Sequence, residues 1–331
     1  MMINFIIRDA AGAYALDARN RGDQGESKMP ETTVTWPRKT REIQNAITDS
    51  TRWNGFKFRD GDIVVATYAK TGTTWTQQIV GQLIFQGAEN SVFEASPWVD
   101  MRIFPLDEIM QMLEAQTHRR FLKTHLPLDA LVFSPQAKYI YVARDGRDTA
   151  WSLYNHHAGF TDQAYEMINN TPGRVGPPME RPGDDIVEYF REWLDGRGLP
   201  MGASFWEHIQ GWWDARHLPN VLLVHFNNLK ADMPGEMRRI AAFLGIEIDE
   251  ARWPDMVEHC TFDYMKRTAS SHSPMLDGMF NGGGQTFFNK GTNGRWRDVL
   301  PAADVQKYER IASENLTPEC ARWVATGEMA R

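Results

Sequence analysis

Residues 63–76, IVVATYAKTGTTWT, constrain the fold of this chain more than any other stretch. Ile63-Val64-Val65-Ala66 is a short, β-branched apolar run of the kind a buried strand needs. Tyr68 to Thr74 follows, small residues around one lysine, Lys70. From Trp75 to Phe85 (WTQQIVGQLIF) apolar residues recur at helical spacing. Strand, small-residue loop and helix together aim backbone N–H groups and a helix N-terminus at one point, which suits an anion. Lys70 adds a point charge, and the threonine hydroxyls add donors. A Walker A loop ends in Gly-Lys-Ser/Thr after an earlier glycine. Here the lysine precedes the glycine, and no glycine stands four or five residues before it. The alternative reading is an ordinary βα turn with a surface lysine.

The pattern recurs downstream. Arg120 to Pro127 (RFLKTHLP) reads as a strand ending in Lys-Thr-His and stopped by proline. Lys138 to Ala143 reads as a strand ending in Arg144-Asp145-Gly146-Arg147-Asp148, with a helix from Thr149 to about His157. Ligands of open parallel sheets bind beyond the carboxyl ends of the strands, which puts Lys123, His125 and Arg144 at one rim. A lone histidine is more often structural than chemical, so only its place singles out His125. Arg144 suits a bidentate phosphate contact, with Ser152 on the helix that follows. Arg147 reads as the local partner of Asp145 or Asp148. Val221 to Val224 is a further buried strand. Phe287 to Arg297 (FFNKGTNGRWR) sets glycines three apart beside Lys290, a second backbone approach to an anion.

Helices are expected over Leu106–Gln116, Ile186–Leu194, Ser204–Ala215, Met233–Leu244 and Asp304–Asn315. Ser204 with Glu207 forms a capping box, and Gly245 ends its helix. Thr40–Asp49 reads as a helix and Phe56-Lys57-Phe58 as an edge strand. The polar, Gly- and Pro-rich run Asn169–Asp185 reads as a lid that tightens on ligand. Met275–Gln285 reads as a Gly-rich mobile segment. Ser96 to Met101 places Trp98 and Met101 outside any periodic element, as loop packing or as a substrate wall. Residues 1–35 read as a flexible N-terminal extension and 36–331 as one domain.

Composition excludes several classes. Net charge is −7 over 331 residues, with no long basic run, so no nucleic-acid partner is expected. Two cysteines, Cys260 and Cys320, make no disulfide framework and read as reduced. No apolar run reaches the about 18 residues of a membrane span. The opening MMINFII lacks the basic region and length of a signal peptide, so the expected location is the cytoplasm. Metal-site spacings are absent, and no metal is expected.

Four segments, YAKTGTTW (Tyr68–Trp75), LKTHLPL (Leu122–Leu128), VARDGRDTAWS (Val142–Ser152) and KGTNGRWR (Lys290–Arg297), together resemble the cytosolic sulfotransferases. Ser204 to Lys230 is similar to the same family, and the resemblance covers about residues 45–310. It implies a single α/β domain, a central parallel sheet flanked by helices, with a P-loop-like phosphosulfate-binding loop. The implied donor is 3′-phosphoadenosine 5′-phosphosulfate (PAPS), with 3′-phosphoadenosine 5′-phosphate (PAP) as product. By this resemblance Lys70, Thr71, Gly72, Thr73, Thr74 and Trp75 hold the phosphosulfate, Trp75 lying against adenine. Arg144 and Ser152 take the 3′-phosphate, and Lys290 and Gly291 close over it. Phe262 covers the other face of the base, with Thr261 nearby. His125 matches the general base, with Lys123 beside it and Lys70 stabilising charge on the leaving phosphate. Trp98 and Met101 match acceptor-pocket positions, joined by His125, Tyr154, His156 and Phe160.

Three departures stand out. Asn289 occupies a position where the family often has arginine, removing a charged contact worth about 1.5–3 kcal/mol, with Arg295 or Arg297 as candidate replacements. Phe226 replaces a nucleotide-site tyrosine. The run WRDVLPAADVQ does not keep the animal enzymes' dimerisation motif, and the sequence leaves the oligomeric state open. The expected function is sulfuryl transfer to a phenol or alcohol hydroxyl of a small hydrophobic acceptor. The alternatives are a non-catalytic nucleotide-binding protein of the same fold and a nucleoside-phosphate kinase.

Overall fold

The apolar runs read as strands pair side by side. In the computed structural model, which describes residues 34–197 and 202–329, they form one parallel sheet in the order β2-β1-β3-β4. The strands are β1 (Ile63–Thr67), β2 (Phe121–Thr124), β3 (Lys138–Ala143) and β4 (Val221–His225). Register is set by Ile63 opposite both Phe121 and Lys138, and by Tyr139 opposite Val221. The expected extension over residues 1–35 falls outside the described residues except for Val34 and Thr35.

Alternation along the strands divides the interior into two cores, because successive side chains point to opposite faces. Ile63, Val65, Phe121, Ile140 and Val142 pack with Ile79, Val80 and Leu83 of helix α1 (Thr73–Phe85) and with Met237 and Ile240 of the helix Met233–Leu244. Val64, Ala66, Leu122, Tyr139 and Tyr141 pack on the other face with Leu153, Trp193, Phe205, Trp212 and Trp323. Both faces are covered, which is why these strands are apolar throughout. Since β1 lies between β2 and β3, the chain leaves it to both sides, and a crevice opens beyond its carboxyl end.

A buried ion pair pins the opposite, amino-terminal edge. Arg120 Nε donates to Asp62 Oδ1 at 2.9 Å, just before β2 and β1, and both side chains are 2% exposed. Removing one partner would strand the other charge in the core. Arg120→Met is therefore expected to lower stability by about 3–5 kcal/mol, read as a shifted urea midpoint. An unchanged midpoint would show that the pair contributes nothing net.

Several expectations are corrected. Residues 40–49 do not form a helix. Asn45 Oδ1 accepts from the N–H groups of Ile47 and Thr48, and Gln44 bridges to Asp49, so side-chain bonds bend the backbone there. Phe56 and Phe58 are not in a strand; both rings pack on Trp53 instead. The helix after β3 begins at Gly146, earlier than read, because Asp145 caps it. Residues 169–185 are tied down by Asn169, whose side chain bonds both N–H and C=O of Met179, and they do not line the central cavity. The run 275–292 lines it instead, including short helices Met275–Met279 and Gly284–Phe287. A final helix, Pro318–Thr326, carries an overlooked signature: Thr317 as cap, Pro318 in the first turn and Gly327 at the end.

Candidate active site

The loop after β1 is built to stay open. Thr71 Oγ1 lies 2.9 Å from Tyr68 O and 2.8 Å from Val142 O, and its one proton, shared between the two carbonyls, ties the loop to β3. Lys70 sits at φ 69°, a left-handed conformation uncommon outside glycine. Gly72 sits at φ 124°, and a Cβ there would meet Phe226 at 3.2 Å and Val142 at 3.3 Å. Among the described residues no acceptor takes the N–H groups of Thr71, Gly72, Thr73, Thr74 or Trp75. Unfilled N–H groups at the start of α1 form a cradle for an anion.

Lys70 Nζ lies 3.2 Å from His156 Nδ1 and 4.7 Å from the centre of the Phe287 ring. Burial pushes its ammonium down to about 7, with Lys123 and Arg144 adding to the shift. Burial likewise takes Lys123 down to about 8, opposed by Asp100. Asp100 was not foreseen. It is fully buried, accepts from Trp53 Nε1 (3.1 Å) and Trp98 Nε1 (2.7 Å), and burial raises its carboxyl. It thereby fixes the Trp98 ring, which carries Lys123 Nζ on its face at 4.3 Å and stands edge-on to His125 at 4.7 Å.

The histidine tautomer follows from its neighbours. His125 Nδ1 lies 2.9 Å from Thr67 O and 3.0 Å from Thr67 Oγ1; the carbonyl can only accept and the hydroxyl can take either role, so the tautomer that satisfies both contacts has the proton on Nδ1 and a lone pair on Nε2. His208 Nε2 donates to His125 O at 3.1 Å, while Tyr141 donates to His208 Nδ1 at 2.9 Å, fixing the backbone beneath the ring. Burial holds the His125 imidazole well below its ordinary pKa, and Lys123 pushes it the same way against the bond from Thr67. It is therefore neutral at neutral pH, in the form that accepts a proton.

Arg144 occupies the far end. Its Nε and Nη2 donate to Asn293 Oδ1 at 2.9 and 2.6 Å, and its guanidinium stacks on Phe226 at 4.3 Å. No carboxylate comes within ion-pair distance among the described residues, and burial takes the group down to about 10. Arg147 instead pairs with Asp145 at 2.6 Å, as expected. Arg295 Nη1 donates to Asn289 Oδ1 at 3.1 Å and lines the same cavity, while Arg297 does not line it and stacks on Trp296 at 5.0 Å. Trp75 Nε1 donates to Cys260 O at 2.8 Å, and its ring meets Phe226 edge-on at 5.4 Å. Gly291, at φ 62°, lies on Phe262 so closely that a Cβ would come within 2.7 Å of the ring.

One cavity of about 660 Å³ gathers most of the sequence-read residues. Lys70, Gly72, Thr73, Thr74, Trp75, Arg144, Ser152, Phe226, Thr261, Phe262, Asn289, Lys290 and Gly291, the residues expected to hold the donor, all line it. Trp98, Met101, Lys123, His125, His156 and Phe160 line it as well. Two residues do not line it. Thr71 turns its hydroxyl into the loop's own support, and Tyr154 packs its ring against Tyr189 at 5.4 Å. No helix among the described residues is long and apolar enough to cross a membrane.

Residues 60–318 match the family model described as Sulfotransferase domain. A Mycobacterium tuberculosis (strain ATCC 25177 / H37Ra) protein named Glycolipid sulfotransferase is 33% identical over 306 residues, 86% of this chain and 94% of that one. Human Sulfotransferase 1E1 is 28% identical over 264 residues, 77% of this chain and 83% of that one. Among solved structures, retinol dehydratase in complex with androsterone and inactive cofactor PAP aligns with a TM-score of 0.63 at 24% identity, over 81% of this chain and 84% of that one. Mouse sulfotransferase SULT7A1 complexed with PAP aligns with a TM-score of 0.64 at 19% identity, over 83% and 91%. The fold is thus the one these structures share, and the chain belongs to the sulfotransferase family. A nucleoside-phosphate kinase is set aside accordingly.

Proposed function

We propose that this chain moves a sulfuryl group from PAPS to a hydroxyl of a hydrophobic small-molecule acceptor, with His125 as general base. The observation that carries this reading is the fixed His125 tautomer, with a free Nε2 in the same cavity as the α1 N-terminus, Lys70 and Lys123. PAPS, when bound, supplies a sulfuryl group on a phosphate leaving group. The open N–H groups of the loop and Lys70 suit its 5′ end, and Arg144, which has no carboxylate partner among the described residues, suits its 3′-phosphate together with Ser152 and Lys290. Trp75, Phe226 and Phe262 suit the base. His125 Nε2 takes the proton from the acceptor hydroxyl as the oxygen–sulfur bond forms, and Thr67 O supports the resulting imidazolium through Nδ1–H. Lys70 and Lys123 meet the charge that grows on the bridging oxygen as its bond to sulfur breaks. The scheme invokes no metal.

Arg295 is the residue that makes good the loss at Asn289. Arg295→Ala is expected to weaken PAP by about 10- to 100-fold and AMP hardly at all, since one charge-assisted bond is worth about 1.5–3 kcal/mol. Equal weakening of both nucleotides would place the side chain elsewhere.

Proton linkage gives a separate test. The free protein holds Lys70 at about 7, and a bound anion favours the ammonium and raises that value. Affinity for PAP is then full below about pH 7 and is lost as pH rises through the higher, bound value. Calorimetry at pH 8 in buffers of different ionisation enthalpy should show proton uptake on binding. Proton release, or none, would contradict it.

The decisive assay uses radiolabelled PAPS with a panel of phenols, alcohols, steroids, amines and sugars. Labelled product from a hydroxyl acceptor supports the reading. Tight PAP binding with no product from any class would favour a binding protein of the same fold.

A further inference from the structure

The lining of the acceptor side of the cavity includes apolar side chains exposed to solvent. Besides His125, it is lined by the apolar Phe93, Ile109, Phe160, Leu276 and Phe280, and by Phe104, Met112 and Met275, which are also exposed at the surface. These last three are 36%, 45% and 41% exposed, and they are among the few large hydrophobic side chains exposed in the described residues. All three line this same cavity, and two segments remote in sequence supply them. Apart from Glu108, the charged residues of the lining belong to the donor and reacting end. An apolar path that begins at a general base and ends at an apolar rim in water leaves surface uncovered unless its occupant continues outward.

We propose that the acceptor is a single-chain amphiphile. Its hydroxyl-bearing head reaches His125, and its alkyl chain follows Phe160, Phe280 and Ile109 to leave past Met112 and Met275. This deepens the sulfotransfer reading above and rests on it for the head group. Methionine suits the exit, because its flexible thioether packs against a mobile chain without demanding one shape. A rigid ring system held at His125 would leave the rim bare, whereas each added methylene of a chain covers more of it.

The test is a series of 4-n-alkylphenols from methyl to octyl. Turnover with PAPS gives kcat/KM, and calorimetric titration with PAP present gives Kd without turnover. Burial of each methylene is expected to improve both by roughly threefold, with the gain persisting to the longest chains. The double variant Met112→Lys with Met275→Glu is expected to flatten the upper half of the series, lowering the octyl-to-methyl ratio at least about tenfold. A wild-type series that levels off at propyl, or a double variant with an unchanged slope, would overturn the proposal. The wild-type series decides the matter even if the variant is unstable. The two readings fail separately: turnover without chain-length dependence sinks the tail path alone. Binding that climbs with chain length but yields no sulfated product sinks the sulfotransfer reading alone.

Discussion

His125→Ala is expected to keep its affinity for PAP while turnover falls by about 10²- to 10⁴-fold, the range supplied by a positioned acid–base group. The reason lies in the ring's two nitrogens. Nδ1 is committed to Thr67 O, so the substitution removes one defined lone pair without unfilling any anion contact in the donor loop. The ring is already neutral through burial, so the wild-type enzyme needs no deprotonation step near neutral pH. Equilibrium titration with PAP and a labelled-PAPS assay on the same preparation check both halves. Turnover within a few-fold of wild type would mean that another group takes the proton.

Lys70→Met is expected to lower kcat by about 10²- to 10³-fold, as loss of one charge-stabilising donor does elsewhere, and to weaken PAP more modestly. Its ammonium rests on His156 and Phe287 in the structure, so the group is held inside the cavity rather than in solvent. Lys70→Arg should not restore the rate. A planar guanidinium is longer and bulkier than an ammonium and cannot place its charge at the same point between His156 and Phe287. Steady-state kinetics at saturating acceptor separate the outcomes. A loss confined to KM, with kcat intact, would assign Lys70 to binding alone.

The gathering of these residues in one cavity was legible in the sequence because charged side chains follow where apolar strands stop. Ile63–Ala66, Phe121–Thr124 and Lys138–Ala143 end in Lys70, His125 and Arg144, and a parallel sheet brings such ends together. The helix Ser204–Ala215 was legible through its cap, and Met233–Leu244 through Gly245. What escaped has no local signature. Asp100 is an unremarkable loop acid until Trp53 and Trp98 bury it between their indoles. Asn293 becomes the partner of Arg144 only when the chain returns across the sheet. Residues 40–49 carried plausible helical spacing, but Asn45 spent its side chain on nearby backbone. Residues 169–185 were read as a lid because polarity and glycine content mark a loop without saying which cavity it borders, and they do not line this one.

Thr67, the last residue of β1, touches both halves of the chemistry. Its carbonyl holds the His125 ring, and its hydroxyl lies 2.7 Å from Thr73 Oγ1 at the head of α1. The separation between the His125 ring and the start of α1 is therefore indexed to the pairing of β1 with β2. The apolar path proposed for the acceptor is lined from loops and helices outside that ladder. Such a division makes the enzyme modular in an evolutionary sense. Substitutions along the path can retune what is sulfated while the spacing that performs the transfer stays fixed.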